Sequence, residues 1–150
     1  RQMCIRDRDH TGALAEIVTM TGAQPWCGEP DAEAIEATTG VTCRTMWDGD
    51  LFRLGDVELD VIGLVGHTRG SIALRLHGNP SDHVLTGDSL FPGRLGKTSG
   101  SREFESLYTD VCMKIFAPAS DTTVIHPGHG DATTVGEERP NLPLWRARGW

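Results

Sequence analysis

The chain has 150 residues, of which 38% are hydrophobic and 23% are charged, a size and composition typical of one globular domain. Its formal net charge of −7 argues against a nucleic-acid partner or an acidic membrane surface, because both attract clustered Lys and Arg. No apolar run approaches the ~20 residues of a membrane span. The four cysteines are scattered without a Cys-x-x-Cys pair, which predicts reduced thiols and a cytoplasmic protein.

The first eight residues differ from the rest of the chain. They have neither helical nor strand periodicity, and three of the 14 basic residues fall among them. We therefore expect residues 1–8 to be a non-native junction and residues 9–150 to form the domain. In that case the chain is a fragment of a longer protein. An ordinary frayed terminus is the alternative.

A helix with one buried face is predicted directly after Asp9 and His10. Its apolar side chains recur at i, i+3 and i+4 and are Leu14, Ile17 and Val18. Gly22 marks its C-terminal end. Asp9 could cap the N-terminus of this helix, but capping does not account for His10, whose protonated form is disfavoured there.

The middle of the chain alternates between apolar and polar residues, which predicts β-strands. A hairpin is expected over residues 51–61, and its inward-facing side chains are Val57, Leu59 and Val61. The next strand, over residues 71–77, is expected to face the core with Ile72, Leu74 and Leu76. His77 and His83 flank the following turn and are expected to be solvated. Residues 38–50 are expected to form a loop.

A short buried strand at Val84 and Leu85 ends at Gly87 and is followed directly by Asp88. An acid at the mouth of a strand, where glycine lets the backbone turn, is a common position for functional side chains in α/β proteins. Glycine and aspartate are also ordinary turn residues, so this pair alone is weak support for a site.

The last third of the chain is predicted to contain a helix, a strand and a terminal helix. The first helix is indicated by apolar residues at 3-4-4 spacing, namely Phe104, Leu107, Val111 and Ile115. A buried strand over residues 122–125 then leads into His126 and His129. A short terminal helix is expected to pack through Leu142, Leu144 and Trp145.

Four short segments place histidine or aspartate beside glycine, a strand end or a helix start. They are Asp9-His10, Gly66-His67-Thr68-Arg69-Gly70-Ser71, Gly87-Asp88-Ser89 and His126-Pro127-Gly128-His129-Gly130. Strand ends and helix starts of this kind share one rim of a layered sheet fold. The four segments together therefore predict a metal site at that rim.

At these residues the sequence resembles the metallo-β-lactamase-fold hydrolases, specifically the glyoxalase II-like (hydroxyacylglutathione hydrolase-like) branch. The family's first motif is His-x-His-x-Asp-His, and its last two residues match Asp9 and His10. Ile5 and Asp7 stand where the two preceding histidines belong. The resemblance implies an α/β (α+β) fold, an αββα four-layer sandwich of which this chain lacks most of the first half.

The resemblance implies five metal ligands, which are Asp9, His10, His67, Asp88 and His129. His67 would bind the first metal, Asp88 would bridge two metals, and the other three would complete the second site. Asp9 is also the expected catalytic residue. The intact protein would hold two metals and this chain one. Zinc is the expected metal, although oxygen and imidazole ligands suit manganese and iron as well.

The implied activity is hydrolysis of a thioester of the glutathione type by a metal-bound hydroxide, with a small molecule as the expected partner. Arg94, Lys97 and Arg102 follow Asp88 in sequence and could hold a substrate carboxylate or be solvated surface charges. The chain has no GxSxG elbow and no cysteine in an evident catalytic setting, which disfavours covalent catalysis.

Three alternatives remain at this point. The same fold could support a persulfide dioxygenase or a lactonase. The chain could also be an inactive metal-binding fragment, because the two first-motif histidines are absent. A purely structural domain would predict that Asp88→Ala changes neither metal content nor activity.

Overall fold

The computed structural model describes the backbone of residues 8–149 and the side chains of residues 10–149. The predictions for Ile5 and Asp7, and for the side chain of Asp9, concern residues outside this part. The strands within it are β1 (Trp26–Gly28), β2 (Arg44–Met46), β3 (Leu51–Leu54), β4 (Val57–Gly63), β5 (Ile72–Leu76), β6 (His83–Gly87), β7 (Leu90–Phe91), β8 (Arg94–Leu95), β9 (Val124–Pro127) and β10 (Thr133–Thr134).

The α-helices of the same residues are α1 (Arg8–Thr11), α2 (Leu14–Thr21), α3 (Ala32–Thr39), α4 (Ser101–Asp110), α5 (Val135–Glu138) and α6 (Leu142–Arg148). Short 3-10 turns over Glu29–Asp31 and Arg139–Asn141 precede α3 and α6. Helix α4 continues as a π-helix over Val111–Phe116. No helix between residues 8 and 149 has both the length and the hydrophobicity needed to cross a bilayer.

A six-stranded mixed sheet, in the order β10-β9-β6-β5-β4-β3, is the centre of the fold. Strand β5 runs antiparallel to both β4 and β6, and β6 runs parallel to β9. Strands β4, β6 and β9 therefore point the same way, so their carboxyl ends meet at one edge of the sheet. The loops that follow these three strands are brought together at that edge.

The core lies between one face of the sheet and the C-terminal helices. The sheet contributes Ala73, Val84 and Ile125, all fully buried. The helices contribute the predicted stripe together with Trp145, and these side chains are Phe104, Leu107, Val111, Ile115, Phe116 and Trp145. Each buried side chain of this size contributes about 1.5–3 kcal/mol through removal from water. The helix prediction for residues 104–116 is confirmed, with its second half wound as a π-helix.

The alternation predicted for β5 is correct, but the side chains predicted to face the core lie on the opposite face. Ala73 is fully buried in the core, whereas Ile72 and Leu74 are only half-buried on the opposite face. Arg75, which shares the face of Ala73, donates from Nη2 to the carbonyl of Lys114 in the π-helix at 3.2 Å. Ala73 belongs to the same buried core cluster as the helix side chains.

Other predictions of burial are also corrected. Leu85 is 47% exposed although its neighbour Val84 is fully buried, because successive side chains of β6 point to opposite faces. Val57 is 43% exposed beside the turn of the β3–β4 hairpin. Leu144 is exposed while Trp145 supplies the buried contact of α6. Strand β2 occupies part of the segment expected to be a loop.

Helix α2 forms where it was predicted and ends at Gly22 in the left-handed conformation, with φ of +65°. None of its residues is buried, and Ile17 is 51% exposed, so the expected buried face is wrong. Its N-cap position is Ala13, so Asp9, which lies in α1, is not its cap. The apolar periodicity therefore predicts the helix correctly, but it does not predict whether the apolar face of the helix is buried.

Candidate metal centre

Three of the predicted ligands follow the three parallel strands of the sheet. His67 lies in the loop after β4, Asp88 directly follows β6, and His129 lies in the loop after β9. His10, in α1, approaches the same edge from the N-terminal side. The structure thus brings together four residues that are up to 119 positions apart in the chain.

Three histidine side chains converge on one oxygen of Asp88. From Asp88 Oδ2, the Nε2 atom of His10 lies at 3.1 Å, and those of His67 and His129 each lie at 3.8 Å. The Nε2 atoms of His10 and His129 are 3.2 Å apart. Three imidazole nitrogens therefore face one carboxylate oxygen at the edge of the sheet.

The local backbone fixes His67 in the orientation of a ligand. Its Nδ1 lies 2.8 Å from the carbonyl oxygen of Lys97 and donates to it. This hydrogen bond leaves Nε2 unprotonated in the neutral ring and directed at Asp88, the usual arrangement of a metal-binding histidine. Gly66 precedes it with φ of +151°, and a Cβ there would overlap the Glu103 carbonyl, so this position requires glycine.

Two glycines shape the surroundings of Asp88. Gly87 turns the chain after β6 with φ of +51°, and its carbonyl accepts the N–H of Gly128 at 2.8 Å. A Cβ on Gly128 would overlap Asp88 Oδ1. That oxygen is buried and has no hydrogen-bond partner among the described residues. One carboxylate oxygen therefore faces three imidazoles, and the other is buried without a donor from the described residues.

This arrangement fits a divalent metal. The ligand atoms of His10, Asp88 and His129 all lie within 4.8 Å of one another, which is compatible with one shared ion. Imidazole nitrogen and carboxylate oxygen are ligands of zinc, iron and manganese. A buried carboxylate oxygen without a donor costs free energy unless a cation or proton satisfies it.

The remaining predictions for the first motif concern residues outside the described side chains. The Asp9 side chain lies outside the described side chains, and Ile5 and Asp7 lie outside the described residues. The backbone of Asp9 belongs to α1, next to His10. The roles of Asp9 as ligand and as catalytic residue therefore stay predictions.

Two further histidines form a pair that the sequence analysis did not anticipate. His83, expected to be solvated, is half-buried, and its Nδ1 lies 2.9 Å from Nε2 of His126. The two rings stack with their centroids 5.2 Å apart. Strand pairing explains this contact because β6 and β9 are neighbours, a fact that no local pattern indicates. His77 is exposed, as expected, and lies between two carboxylates.

Of the three cationic residues considered for substrate binding, only Arg94 reaches the cavity beside the site. This cavity of about 590 Å³ opens on His129 and is also lined by Phe91, Pro92 and Arg94. Lys97 contributes its backbone carbonyl to His67 instead. No local sequence signal could have indicated that contact, because any residue type carries a carbonyl.

Two of the described cysteines, Cys27 and Cys112, are poor nucleophiles. Burial raises the pKa of the Cys27 thiol to about 12, and burial also raises the pKa of the Cys112 thiol. Both thiols therefore stay protonated near neutral pH. Cys27, Cys43 and Cys112 are free, as the sequence predicted.

Comparison with known sequences gives several relatives, although no protein-family model matches the chain. The chain is 42% identical over 100 residues to an uncharacterized protein of Mycobacterium leprae, a match that covers 65% of this chain and 44% of that protein. It is 34% identical over 98 residues to an uncharacterized 11.5 kDa protein of Rhodococcus erythropolis, covering 59% of this chain and 91% of that protein. It is 28% identical over 156 residues to the hydroxyacylglutathione hydrolase GloC of Haemophilus influenzae, covering 93% and 72% respectively.

Solved structures with the same fold cover nearly all of the chain. The BLEG-1 B3 metallo-beta-lactamase matches with a TM-score of 0.73 and 21% identity, over 91% of this chain and 72% of that one. ETHE1 from Myxococcus xanthus matches with a TM-score of 0.72 and 24% identity, over 90% and 57%. TTHA1623 in a di-iron-bound form matches with a TM-score of 0.67 and 26% identity, over 91% and 72%.

The chain therefore has the metallo-β-lactamase fold, and the fold class expected from the sequence is confirmed. It belongs to the same family as the Rhodococcus protein, and among functionally named relatives it is similar to hydroxyacylglutathione hydrolases. The chain spans less than half the length of its mycobacterial relatives. At the level of this family, the chain is related to metal-dependent hydrolases.

Proposed function

We propose that this protein hydrolyses a thioester of the hydroxyacylglutathione type in a metal-dependent reaction. The observation that carries the proposal is the convergence of three histidine Nε2 atoms within 3.8 Å of Asp88 Oδ2. Similarity to the hydrolase GloC supports the thioester as the substrate class. The proposed substrate is a small molecule, and zinc is the proposed metal.

The residues divide between two metal positions in this proposal. His10, Asp88 and His129 would hold one divalent metal in this chain, and His67 and Asp88 would contribute to a second position in the intact protein. A metal at this place supplies a Lewis acid that activates water and polarises the scissile carbonyl. Asp9 is proposed to complete the position held by His10, Asp88 and His129.

The chain's own groups prepare this site in three ways. The Lys97 carbonyl holds the His67 ring in one tautomer and orientation. Gly128 lets the loop after β9 approach Asp88, so that His129 can face the same carboxylate. The cavity of about 590 Å³ beside His129 has the volume of a small-molecule site.

The test is thioester hydrolysis by metal-loaded protein. The chain would be stripped of metal, reloaded with Zn²⁺ and assayed with S-lactoylglutathione. We expect hydrolysis that depends on added metal and that is lost in His129→Gln. His77→Gln is the matched control, because His77 is also exposed and also ion-paired to aspartate but lies outside the site. A chain that binds zinc and leaves the thioester intact would contradict the proposal.

A second candidate is oxidation of a persulfide by an iron-dependent dioxygenase. The likeness to ETHE1 and to a di-iron-bound protein is compatible with it. Oxygen uptake by the Fe²⁺-loaded chain in the presence of glutathione persulfide would favour this reaction over hydrolysis. Metal binding without turnover of thioester, lactone or persulfide would favour the inactive metal-binding fragment.

A further inference from the structure

We propose that Arg94 is a specificity-determining residue that binds a carboxylate of the substrate in the cavity beside His129. This inference rests on the proposed function, because it assigns the substrate class of the same site. It selects one of three cationic residues that the sequence alone could not distinguish.

The cavity places Arg94 next to the candidate metal centre. Both Arg94 and His129 line it, whereas Lys97 and Arg102 do not. A molecule that reaches the metal through this cavity therefore passes the Arg94 guanidinium. A carboxylate is the substrate group that such a guanidinium binds best, because its two oxygens match the planar fork of donors.

Among the described residues, no carboxylate pairs with the guanidinium of Arg94. It lies 4.3 Å from the centroid of the Phe91 ring, and its hydrogen bond is a long one of 3.4 Å from Nη1 to the Leu95 carbonyl. Within residues 10–149 it forms no ion pair. Other arginines differ: Arg53 pairs with Glu58, and Arg139 pairs with Asp121. The donors of Arg94 therefore remain available to a ligand.

The backbone beside Arg94 is held on both sides. The N–H of Gly93 donates to Oε2 of Glu138 at 2.9 Å, and the carbonyl of Gly93 accepts from Nη2 of Arg148 at 3.1 Å. Glu138 is buried, and its other oxygen accepts from the Thr133 hydroxyl at 2.8 Å. Because these contacts fix the turn between β7 and β8, Arg94 is presented to the cavity from a defined position.

Three acidic residues line the cavity, Asp131, Glu137 and Glu138, and the last two are already used within the protein. Glu137 and Glu138 belong to the start of α5, where Glu137 forms a capping box with Thr134. The Thr133 and Thr134 hydrogen bonds lower the pKa of Glu137, which keeps it ionised as a cap. These carboxylates support the helix and the Gly93 turn and do not neutralise Arg94.

Binding of S-methylglutathione, a thioether that cannot be hydrolysed, tests the inference independently of turnover. Its affinity for the Zn²⁺-loaded chain would be measured by calorimetry, beside that of its neutral-carboxyl diethyl ester. We expect Arg94→Gln to weaken binding of the free acid by at least about tenfold and to leave binding of the diester unchanged. Arg53→Gln is the matched control because it removes an exposed, ion-paired arginine far from the cavity.

The outcomes separate this inference from the proposed function. Unchanged affinity in Arg94→Gln, or equal weakening of the acid and the diester, would overturn the role of Arg94 even if the chain hydrolyses S-lactoylglutathione. Selective weakening without any hydrolysis would support Arg94 and contradict the thioesterase. If the unaltered chain binds neither the acid nor the diester, the inference is overturned.

Discussion

Two histidine–aspartate clusters in this molecule differ in the ratio of imidazole to carboxylate. At the sheet edge, Asp88 Oδ2 faces the Nε2 atoms of His10, His67 and His129. At the turn after β5, one imidazole lies between two carboxylates: Nε2 of His77 is 2.7 Å from Asp60, and Nδ1 is 3.0 Å from Asp82.

The difference indicates whether a proton or a metal ion balances the charge of each cluster. One protonated imidazole donates from both ring nitrogens, so a single added proton satisfies the His77 cluster. The side-chain hydrogen bond to Asp60 accordingly raises the pKa of His77. Three protonated imidazoles around one carboxylate would repel each other, because two of their nitrogens are only 3.2 Å apart. A divalent cation satisfies the Asp88 cluster without that repulsion.

Removal of the central carboxylate should have the largest effect. We expect Asp88→Ala to weaken Zn²⁺ binding by at least about 100-fold, because the oxygen shared by three histidines is lost. A competition titration with a chromophoric chelator measures this change. The matched variant Asp82→Ala removes a carboxylate paired with one histidine and should leave the zinc affinity unchanged. Equal zinc affinities of the two variants would contradict the distinction between the Asp88 and His77 clusters.

A smaller effect is expected from the glycine beside Asp88. Gly128→Ala places a Cβ against Asp88 Oδ1 and should weaken Zn²⁺ binding by about tenfold through displacement of the carboxylate. Gly130→Ala, in the same loop, has open space around its Cβ but a φ of +80°. It should cost about 1 kcal/mol of stability and leave zinc affinity unchanged. Loss of affinity in Gly130→Ala alone would contradict this reading of the loop.

The smallest effect is a pH-dependent contribution of His77 to stability. Its pKa is raised from 6.5, so its contribution is present below that pH and is lost as pH rises through the folded-state pKa. Desolvation opposes the shift of Asp82, but the Gly78 N–H and His77 lower its pKa from 3.8 overall. The contribution therefore also falls as pH drops through the folded-state pKa of Asp82.

Urea unfolding of the chain and of His77→Gln between pH 4 and 9 checks this expectation. The difference should be largest between about pH 4 and 6.5 and should not exceed ~1 kcal/mol, because the cluster is exposed. A difference that grows above pH 8 would contradict it.

The sequence predicted which candidate ligands lie together better than it predicted the packing. The edge that carries His67, Asp88 and His129 was foreseeable, because each residue follows an apolar strand and stands beside glycine. Because β4, β6 and β9 point the same way, the three residues that follow these strands lie together at one edge of the sheet.

Packing depends on partners that local patterns do not specify. The alternation in β5 defines two faces, but only the tertiary contact of Arg75 with the π-helix decides that Ala73 faces the core. The stripe of α2 has no buried residue, although its spacing is helical. The Lys97 carbonyl that orients His67 is a backbone group, so the residue type at this position does not predict the contact.

Metal content per chain is the most direct test of the central claim. The full chain would be purified, dialysed against a weak chelator and analysed for elements, with Asp88→Ala and Asp82→Ala treated identically and checked for folding by circular dichroism. We predict roughly one divalent metal per chain in the unaltered protein and in Asp82→Ala, and none in folded Asp88→Ala. A folded, unaltered chain without bound metal, or equal metal content in Asp88→Ala, would contradict the account.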